Sequence, residues 1–206
     1  DNDGYLDIAE GTSNTTSDIY ANNNGTVETT PIWISEPATN SPKLVFGDYD
    51  NDGDLDLYVC SGGIEFNKYS SELGDRLYMN NGKGDFDLSD QKLPSNSEYF
   101  STGTVISSDI DKDGDLDLFV GERMNPEKYG MPGSGFILLN NGQGVFEDAT
   151  ETVASELKNI GMITDATFTD LDKDGDDDLV VVGEFMGIEI FVNENGIFQK
   201  MKENPL

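Results

Sequence analysis

An all-β fold is predicted, a β-propeller segment of about four four-stranded antiparallel blades with Asp-rich calcium loops. Three observations predict it. First, three nine-residue segments are near-copies of one another: DYDNDGDLD at 48–56, DIDKDGDLD at 109–117 and DLDKDGDDD at 170–178. Second, their glycines Gly53, Gly114 and Gly175 lie 61 residues apart both times, and a shortened fourth copy, DNDGYLD, occupies 1–7. Third, each full copy sits between short apolar runs rich in β-branched residues. A fixed period of this length marks propellers, solenoids or arrays.

The elements follow in the same order in each unit. A short strand leads in at Lys43 to Phe46, Thr104 to Ser107 and Ala166 to Thr169. The Asp loop follows, and a second strand leaves it at Leu55 to Cys60, Leu116 to Val120 and Leu179 to Val182. A third strand is predicted at Arg76 to Met79, Phe136 to Leu139 and Ile188 to Val192. An Asn-Gly turn comes next: Asn24-Gly25, Asn81-Gly82, Asn141-Gly142 and Asn195-Gly196. Asn-Gly between apolar runs is a strong hairpin signal, because both residues tolerate positive φ. A short fourth strand closes the unit, as at Val145-Phe146 or Ile197-Phe198. Four antiparallel strands in such a unit mark a propeller blade. Blades are buried on both faces, so runs such as Leu179-Val180-Val181-Val182 need not alternate.

From loop glycine to turn glycine is 29 and 28 residues in the middle units but 21 in the outer two. The middle units therefore carry an insertion within 61–75 and 121–135. Residues 151–160 read as a one- to two-turn helix with Val153, Leu157 and Ile160 on one side, stopped by Gly161. No low-complexity linker divides the chain, so 1–206 reads as one domain. Its approximate blades are 1–40, 41–100, 101–161 and 162–206, within a longer parent chain.

Composition narrows the function. Asp and Glu number 41, Lys and Arg 12, and the net charge is −29. No basic patch exists to release counterions from nucleic acid, which excludes that partner class. Histidine is absent, which removes the commonest general base. Cys60 is the single cysteine, so no disulfide forms within the chain. It reads as a small buried hydrophobe. No apolar run reaches the ~18 residues of a membrane helix, so direct membrane insertion is not expected.

The Asp loops carry the chemistry. Numbered one to nine, the side chains at 1, 3 and 5 converge inside the turn, and glycine at 6 permits the bend. The carbonyl of residue 7 and the carboxylate at 9 complete an oxygen shell suited to Ca²⁺. The predicted ligands are Asp48, Asp50, Asp52, Asp56 and the Asp54 carbonyl in the second unit. In the third they are Asp109, Asp111, Asp113, Asp117 and the Asp115 carbonyl. In the fourth they are Asp170, Asp172, Asp174, Asp178 and the Asp176 carbonyl. The first unit keeps Asp1, Asp3, Asp7 and the Tyr5 carbonyl, and lacks its first ligand. The expectation is three full calcium sites and one partial one. An EF-hand would place an acid at position 12, where this chain has Val59, Val120 and Val181, each within a β-branched run.

These loops, with Phe46-Gly47 before one of them, resemble the FG-GAP or VCBS family of calcium-binding blades found in integrin α-subunit heads and secreted bacterial proteins. Further runs look like bacterial surface VCBS proteins of the ASPIC/UnbV or cartilage-acidic-protein type. These are Gly121-Glu122-Arg123, Phe136 to Gly142, Gly161 to Ala166 and Val182-Gly183-Glu184-Phe185-Met186. The resemblance implies an extracellular or cell-surface propeller, with Ca²⁺ in the loops joining first and second strands.

The function expected is a non-enzymatic interaction module with structural calcium, binding a protein or glycan partner as part of a larger surface protein or complex. The insertions offer a candidate face: Ile64 to Tyr69 in one and Arg123 to Met131 in the other, each placing aromatics beside a Lys. A polysaccharide-acting enzyme domain is the alternative, with Lys128, Tyr129 and Arg123 available. Nothing in their spacing demands it, and no nucleophile–His pair or phosphate loop is present. A pure structural spacer is the third reading. Asn14-Thr15-Thr16 and Asn24-Gly25-Thr26 match glycosylation sequons, a pattern common by chance in an Asn-rich chain.

Overall fold

The structure, a computed structural model, describes residues 4–11, 16–34, 43–95 and 98–202. The first unit forms β1 (Ile8–Glu10), β2 (Asp18–Tyr20), β3 (Asn22–Asn23), β4 (Thr26–Val27) and β5 (Trp33–Ile34). The second forms β6 (Leu44–Gly47), β7 (Asp56–Val59), β8 (Arg76–Asn80) and β9 (Phe86–Leu88). The third forms β10 (Ser101–Ser108), β11 (Asp117–Met124), β12 (Gly135–Asn140) and β13 (Phe146–Asp148). The fourth forms β14 (Met162–Thr169), β15 (Asp178–Glu184), β16 (Glu189–Glu194) and β17 (Ile197–Lys200).

Units two to four are each a four-stranded antiparallel sheet in sequence order. In the first unit the described residues give a three-stranded sheet, β1-β2-β5, and a separate ribbon, β3-β4. This differs from the four-stranded expectation: among the described residues no strand pairs with β1 on the side away from β2. The strands of units three and four are longer than the apolar runs suggested. Backbone pairing continues past the hydrophobic stretch, to Ser101↔Met124 and Met162↔Glu184, with register shifts along the way.

The turns divide into two kinds. Asn24-Gly25 and Asn195-Gly196 have φ of 51° and 87° and of 53° and 82°, the paired left-handed values of a two-residue type I′ hairpin. In the middle units the left-handed residues are instead Gly82 and Gly84, and Gly142 and Gly144. These connections run over 81–85 and 141–145, closed by Asn81 N–H to the Asp85 carbonyl (3.1 Å) and Asn141 N–H to the Val145 carbonyl (3.2 Å).

The hydrophobic cores lie between successive sheets. Alternate residues of one strand feed opposite cores, as the period of two requires. Along β7, Leu57 and Val59 pack toward the first unit with Ile19, while Tyr58 and the following Cys60 pack toward the third. Along β11, Leu118 and Val120 join that second-to-third core, while Phe119 joins Leu179, Val181 and Phe191 of the fourth unit. This two-sided burial is why the strand sequences read as continuous apolar runs.

The predicted helix at 151–160 breaks into α1 (Thr150–Val153) and a 3₁₀ turn (Ser155–Leu157), interrupted at Ala154 with φ −152°. The break delivers Leu157 into the core between the third and fourth sheets. Three positions 61 residues apart, Lys43 just before β6, Thr104 in β10 and Asp165 in β14, also meet. Lys43 Nζ donates to Asp165 Oδ1 (2.6 Å) and to Thr104 Oγ1 (3.2 Å), and Thr104 Oγ1 donates to Asp165 (3.3 Å). The leading edges of units two, three and four thus converge at one place. Among the described residues no helix is long and apolar enough to cross a membrane.

Candidate metal centres

Each Asp loop is shaped by its own backbone. Position 1 folds over the turn: Asp48, Asp109 and Asp170 accept the N–H of Gly53, Gly114 and Gly175 at 3.1, 3.2 and 3.2 Å. Those glycines have φ of 93°, 98° and 93°. A Cβ at Gly53 or Gly114 would meet nothing within 4 Å, so the requirement there is conformational rather than spatial. Position 3 accepts the N–H of position 5 at 3.2 Å in all three loops.

The closing aspartate is the most constrained of the predicted ligands. Asp56, Asp117 and Asp178 are buried at the start of the second strand. Oδ2 of each accepts the N–H of loop position 2: Tyr49 at 2.9 Å, Ile110 at 2.9 Å and Leu171 at 2.8 Å. Oδ1 accepts a third-strand N–H: Asn80 at 2.8 Å, Asn140 at 2.8 Å and Asn193 at 2.9 Å. With both oxygens gripped, the carboxylate cannot rotate away from the loop centre.

The result is three carboxylate clusters: Asp48, Asp50 and Asp56; Asp109, Asp111 and Asp117; Asp170, Asp172 and Asp178. In each, one oxygen per residue lies within 4.8 Å of the others. Oxygens sharing one Ca²⁺ at ~2.3–2.6 Å can be at most about 5 Å apart, so the spacing fits a single hard cation. The donor set is oxygen only. Buried Asp48 Oδ1 and Asp109 Oδ1 have no hydrogen-bond partner, an arrangement that costs free energy unless a cation supplies the missing interaction.

The electrostatics agree. Burial, then the neighbouring loop carboxylates, push Asp56 up to about 6 and Asp117 up to about 7, against the N–H donors that favour the charged form. Asp50, Asp111 and Asp172 are raised as well, by burial first and adjacent loop aspartates in support. Like charges this close resist ionising together, and a divalent cation would reverse that resistance.

Of the predicted ligands, positions 1, 3 and 9 of the three full loops are brought together. The side chains of Asp52, Asp113 and Asp174 lie outside these clusters. Each accepts the N–H of position 7, at 2.9, 2.9 and 2.8 Å. In the first unit Asp1 and Asp3 lie outside the described residues. Asp7 accepts the N–H of Asn22 at 2.9 Å, the same contact the other closing aspartates make, and Tyr5 stands on the loop before it.

Sequence reasoning missed the asparagines. Asn80, Asn140 and Asn193 turn their amides back to the loop carbonyls of Leu55, Leu116 and Asp177 at 3.1, 3.1 and 3.2 Å. Two also cross between units: Asn140 Nδ2 donates to the Tyr49 carbonyl (2.8 Å) and Asn193 Nδ2 to the Ile110 carbonyl (3.1 Å). A second cross-link joins position 4 of one loop to position 7 of the next. Asn51 Nδ2 donates to Asp115 (2.6 Å), and Lys112 forms an ion pair with Asp176. The repeated Asn shortly before each Asn-Gly pair was the available signal. The side chains of Asp115 and Asp176 therefore act between loops.

The two insertions also meet. Lys68 Nζ lies 3.8 Å from Glu127, and both segments border one cavity of ≈ 360 Å³ between units two and three. The second insertion is pinned on its other side, where Tyr129 and Arg123 donate to Glu184 at 2.5 and 2.6 Å. Segment 121–124 is strand rather than loop, so the inserted connection proper begins at Asn125.

A family profile described as an FG-GAP-like repeat matches residues 1–59 and 109–181. No curated protein matches the chain.

Proposed function

We propose that this chain, which belongs to the FG-GAP-like repeat family, is a calcium-stabilised β-propeller segment acting as a non-enzymatic interaction module outside the cell. Repeats of this family are typically extracellular and generally mediate protein interactions. The observation that carries the metal assignment is the unpartnered buried oxygen on Asp48 and on Asp109, each beside two further carboxylates. Asp48, Asp50 and Asp56, with their equivalents in the next two loops, would hold one calcium per loop. Asp52, Asp113 and Asp174 and the carbonyls of Asp54, Asp115 and Asp176 complete each set, with Asp1, Asp3, Asp7 and the Tyr5 carbonyl as the partial fourth. A bound divalent cation supplies the positive charge that lets clustered carboxylates ionise together. The chain's own residues do the positioning: the third-strand asparagines and the position 2 amides fix the closing aspartate before any ion arrives.

The propeller reading is supported by the meeting of Lys43, Thr104 and Asp165. Their common spacing of 61 residues is what leading strands grouped around a shared axis would give. On this reading 1–206 is one domain, with blades near 1–40, 41–100, 101–161 and 162–206. Its partner is a protein or glycan met by the connecting loops, within a larger surface assembly.

The test is a thermal melt of the intact chain with calcium and with chelator. For extracellular modules Kd values are ~10⁻⁴–10⁻³ M, so millimolar calcium contributes roughly 0.4–1.4 kcal/mol per site. Three sites should raise the midpoint by roughly 3–15 °C for a chain of this size. An unchanged midpoint would overturn the metal assignment.

A further inference from the structure

We propose that the cleft between the two inserted connections binds an acidic saccharide unit, a sugar residue of the uronate class bearing one carboxylate. The proposal deepens the interaction-module reading and rests on it. The walls that matter are Lys68 and Tyr69 from the first insertion, Lys92, Glu98 and Tyr99 from the segment before β10, and Glu122 from β11. A volume of ≈ 360 Å³ stands at the lower end of small-molecule sites, room for one or two sugar rings rather than a protein segment.

The charge pattern selects an anion. In a chain of net charge −29 with 12 basic residues, two ammonium groups converge on one cleft. Lys92 Nζ lies 4.0 Å from the Tyr99 ring centroid and makes no ion pair among the described residues. Lys68 Nζ lies 5.1 Å from the Tyr69 centroid, with its nearest carboxylate, Glu127, at 3.8 Å. The aromatic faces that could cage a cationic ligand are thus occupied by the protein's own cations. An ammonium held over a ring keeps most of its hydrogen-bonding capacity for an incoming carboxylate.

The acids in the same cleft select a hydroxylated ligand of low charge. The Glu98 carboxylate accepts O–H donors and repels a polyanion such as phosphate. Glu122 is held by the N–H of Ser134 on Oε2 at 3.1 Å. Burial pushes its carboxyl up to about 7, with Glu98 adding to the rise and the Ser134 N–H opposing it. Near neutral pH it can therefore offer a proton to a ligand oxygen. Tyr69 and Tyr99 are exposed and half-buried respectively, offering flat apolar surface beside phenolic donors, the usual partners of a sugar ring.

The experiment is calorimetric titration of the intact, calcium-loaded chain with D-glucuronate, D-glucose, acetate and N-acetylglutamate. Saturable binding of glucuronate, at least ~10-fold tighter than glucose or acetate, is expected. Lys92→Gln should weaken it by about 10-fold, the worth of one charge-assisted hydrogen bond. Affinity should fall as pH rises through about 7, and Glu122→Gln should flatten that dependence. No saturable glucuronate binding, in protein that keeps its calcium-dependent melting, would overturn this proposal while leaving the metal reading standing. Equal binding of acetate or N-acetylglutamate would overturn the saccharide assignment. Loss of the calcium response with glucuronate binding retained would overturn the metal reading alone.

Discussion

Replacing Asn140 with alanine tests whether the units are linked through their asparagines. The Asn140 side chain makes three hydrogen bonds: to the Tyr49 carbonyl at 2.8 Å, to the Leu116 carbonyl at 3.1 Å, and from the Gly142 N–H at 3.2 Å. It is buried. Each such bond contributes roughly 0.5–1.5 kcal/mol net. The Tyr49 carbonyl keeps the Gly144 N–H at 2.8 Å, so it is not orphaned by the change. A loss of roughly 2–3 kcal/mol follows, or a fall of about 4–12 °C in melting midpoint. The Tyr49 backbone also donates its N–H to Asp56, the closing aspartate of the preceding loop. Asn140→Ala should therefore weaken calcium binding at 48–56, a loop whose near end lies 84 residues away in sequence. Thermal melts and calcium titration by calorimetry read the two effects. A midpoint change below about 1 °C, or a loss of equal size with and without calcium, would refute the coupling.

Three further outcomes follow from local geometry. Asp75 accepts Tyr58 Oη, Ser61 N–H and Thr102 Oγ1 at 2.8, 2.7 and 2.5 Å, yet burial pushes its carboxyl up to about 7. Between the usual carboxylate value near 3.8 and about 7, the folded chain holds a proton that the unfolded chain has released. Stability from this group is therefore greatest at the acid end of that window and is lost as pH rises through it. The ceiling is roughly 4 kcal/mol, and Asp75→Asn should flatten the difference in urea stability measured across the window. Gly82→Ala should cost roughly 1–3 kcal/mol, because φ is +74° and the new Cβ would fall on the Asp54 carboxylate; a chemical melt reads it. Leu118→Ala, at a fully buried position, should cost roughly 2–5 kcal/mol in the same assay.

The sequence exposed the features whose causes are local. The Asp-x-Asp-x-Asp-Gly pattern dictates its own turn, and the flanking β-branched runs dictate strands, so loops and strand order were readable. The helix at 151–160 was only half readable. Spacing placed Val153, Leu157 and Ile160 on one side, but seating Leu157 between two sheets breaks the backbone at Ala154. The Asn-Gly pairs named the turns without fixing their type. In the middle units Gly84 and Gly144 take the second left-handed position, and the connections lengthen. The asparagine cross-links were invisible because their partners are 91 and 83 residues distant. The cleft was partly legible: both insertions showed a Lys beside aromatics, but Lys92, Glu98 and Tyr99 come from a segment outside them.

Loop position 2 offers the sharpest comparison of the serial arrangement, because three equivalent residues meet three different surroundings. Tyr49 is fully buried and stacks edge-on against Phe146 of the next unit at 5.5 Å. Ile110 is equally buried, within the core shared with Phe198 of the fourth unit. Leu171 is 46% exposed. The loop around it is the same as the others, since its N–H grips Asp178 at 2.8 Å just as Ile110 grips Asp117. What differs is the packing: the described residues place a neighbouring sheet over Tyr49 and Ile110 and none over Leu171. Ile110→Ala should cost roughly 2–5 kcal/mol by opening a cavity between sheets, whereas Leu171→Ala should change stability by less than about 0.5 kcal/mol. Urea midpoints of the two variants, compared in saturating calcium, decide the matter. Equal losses would mean that position 2 serves its own loop, and that burial by the next sheet is not what stabilises it.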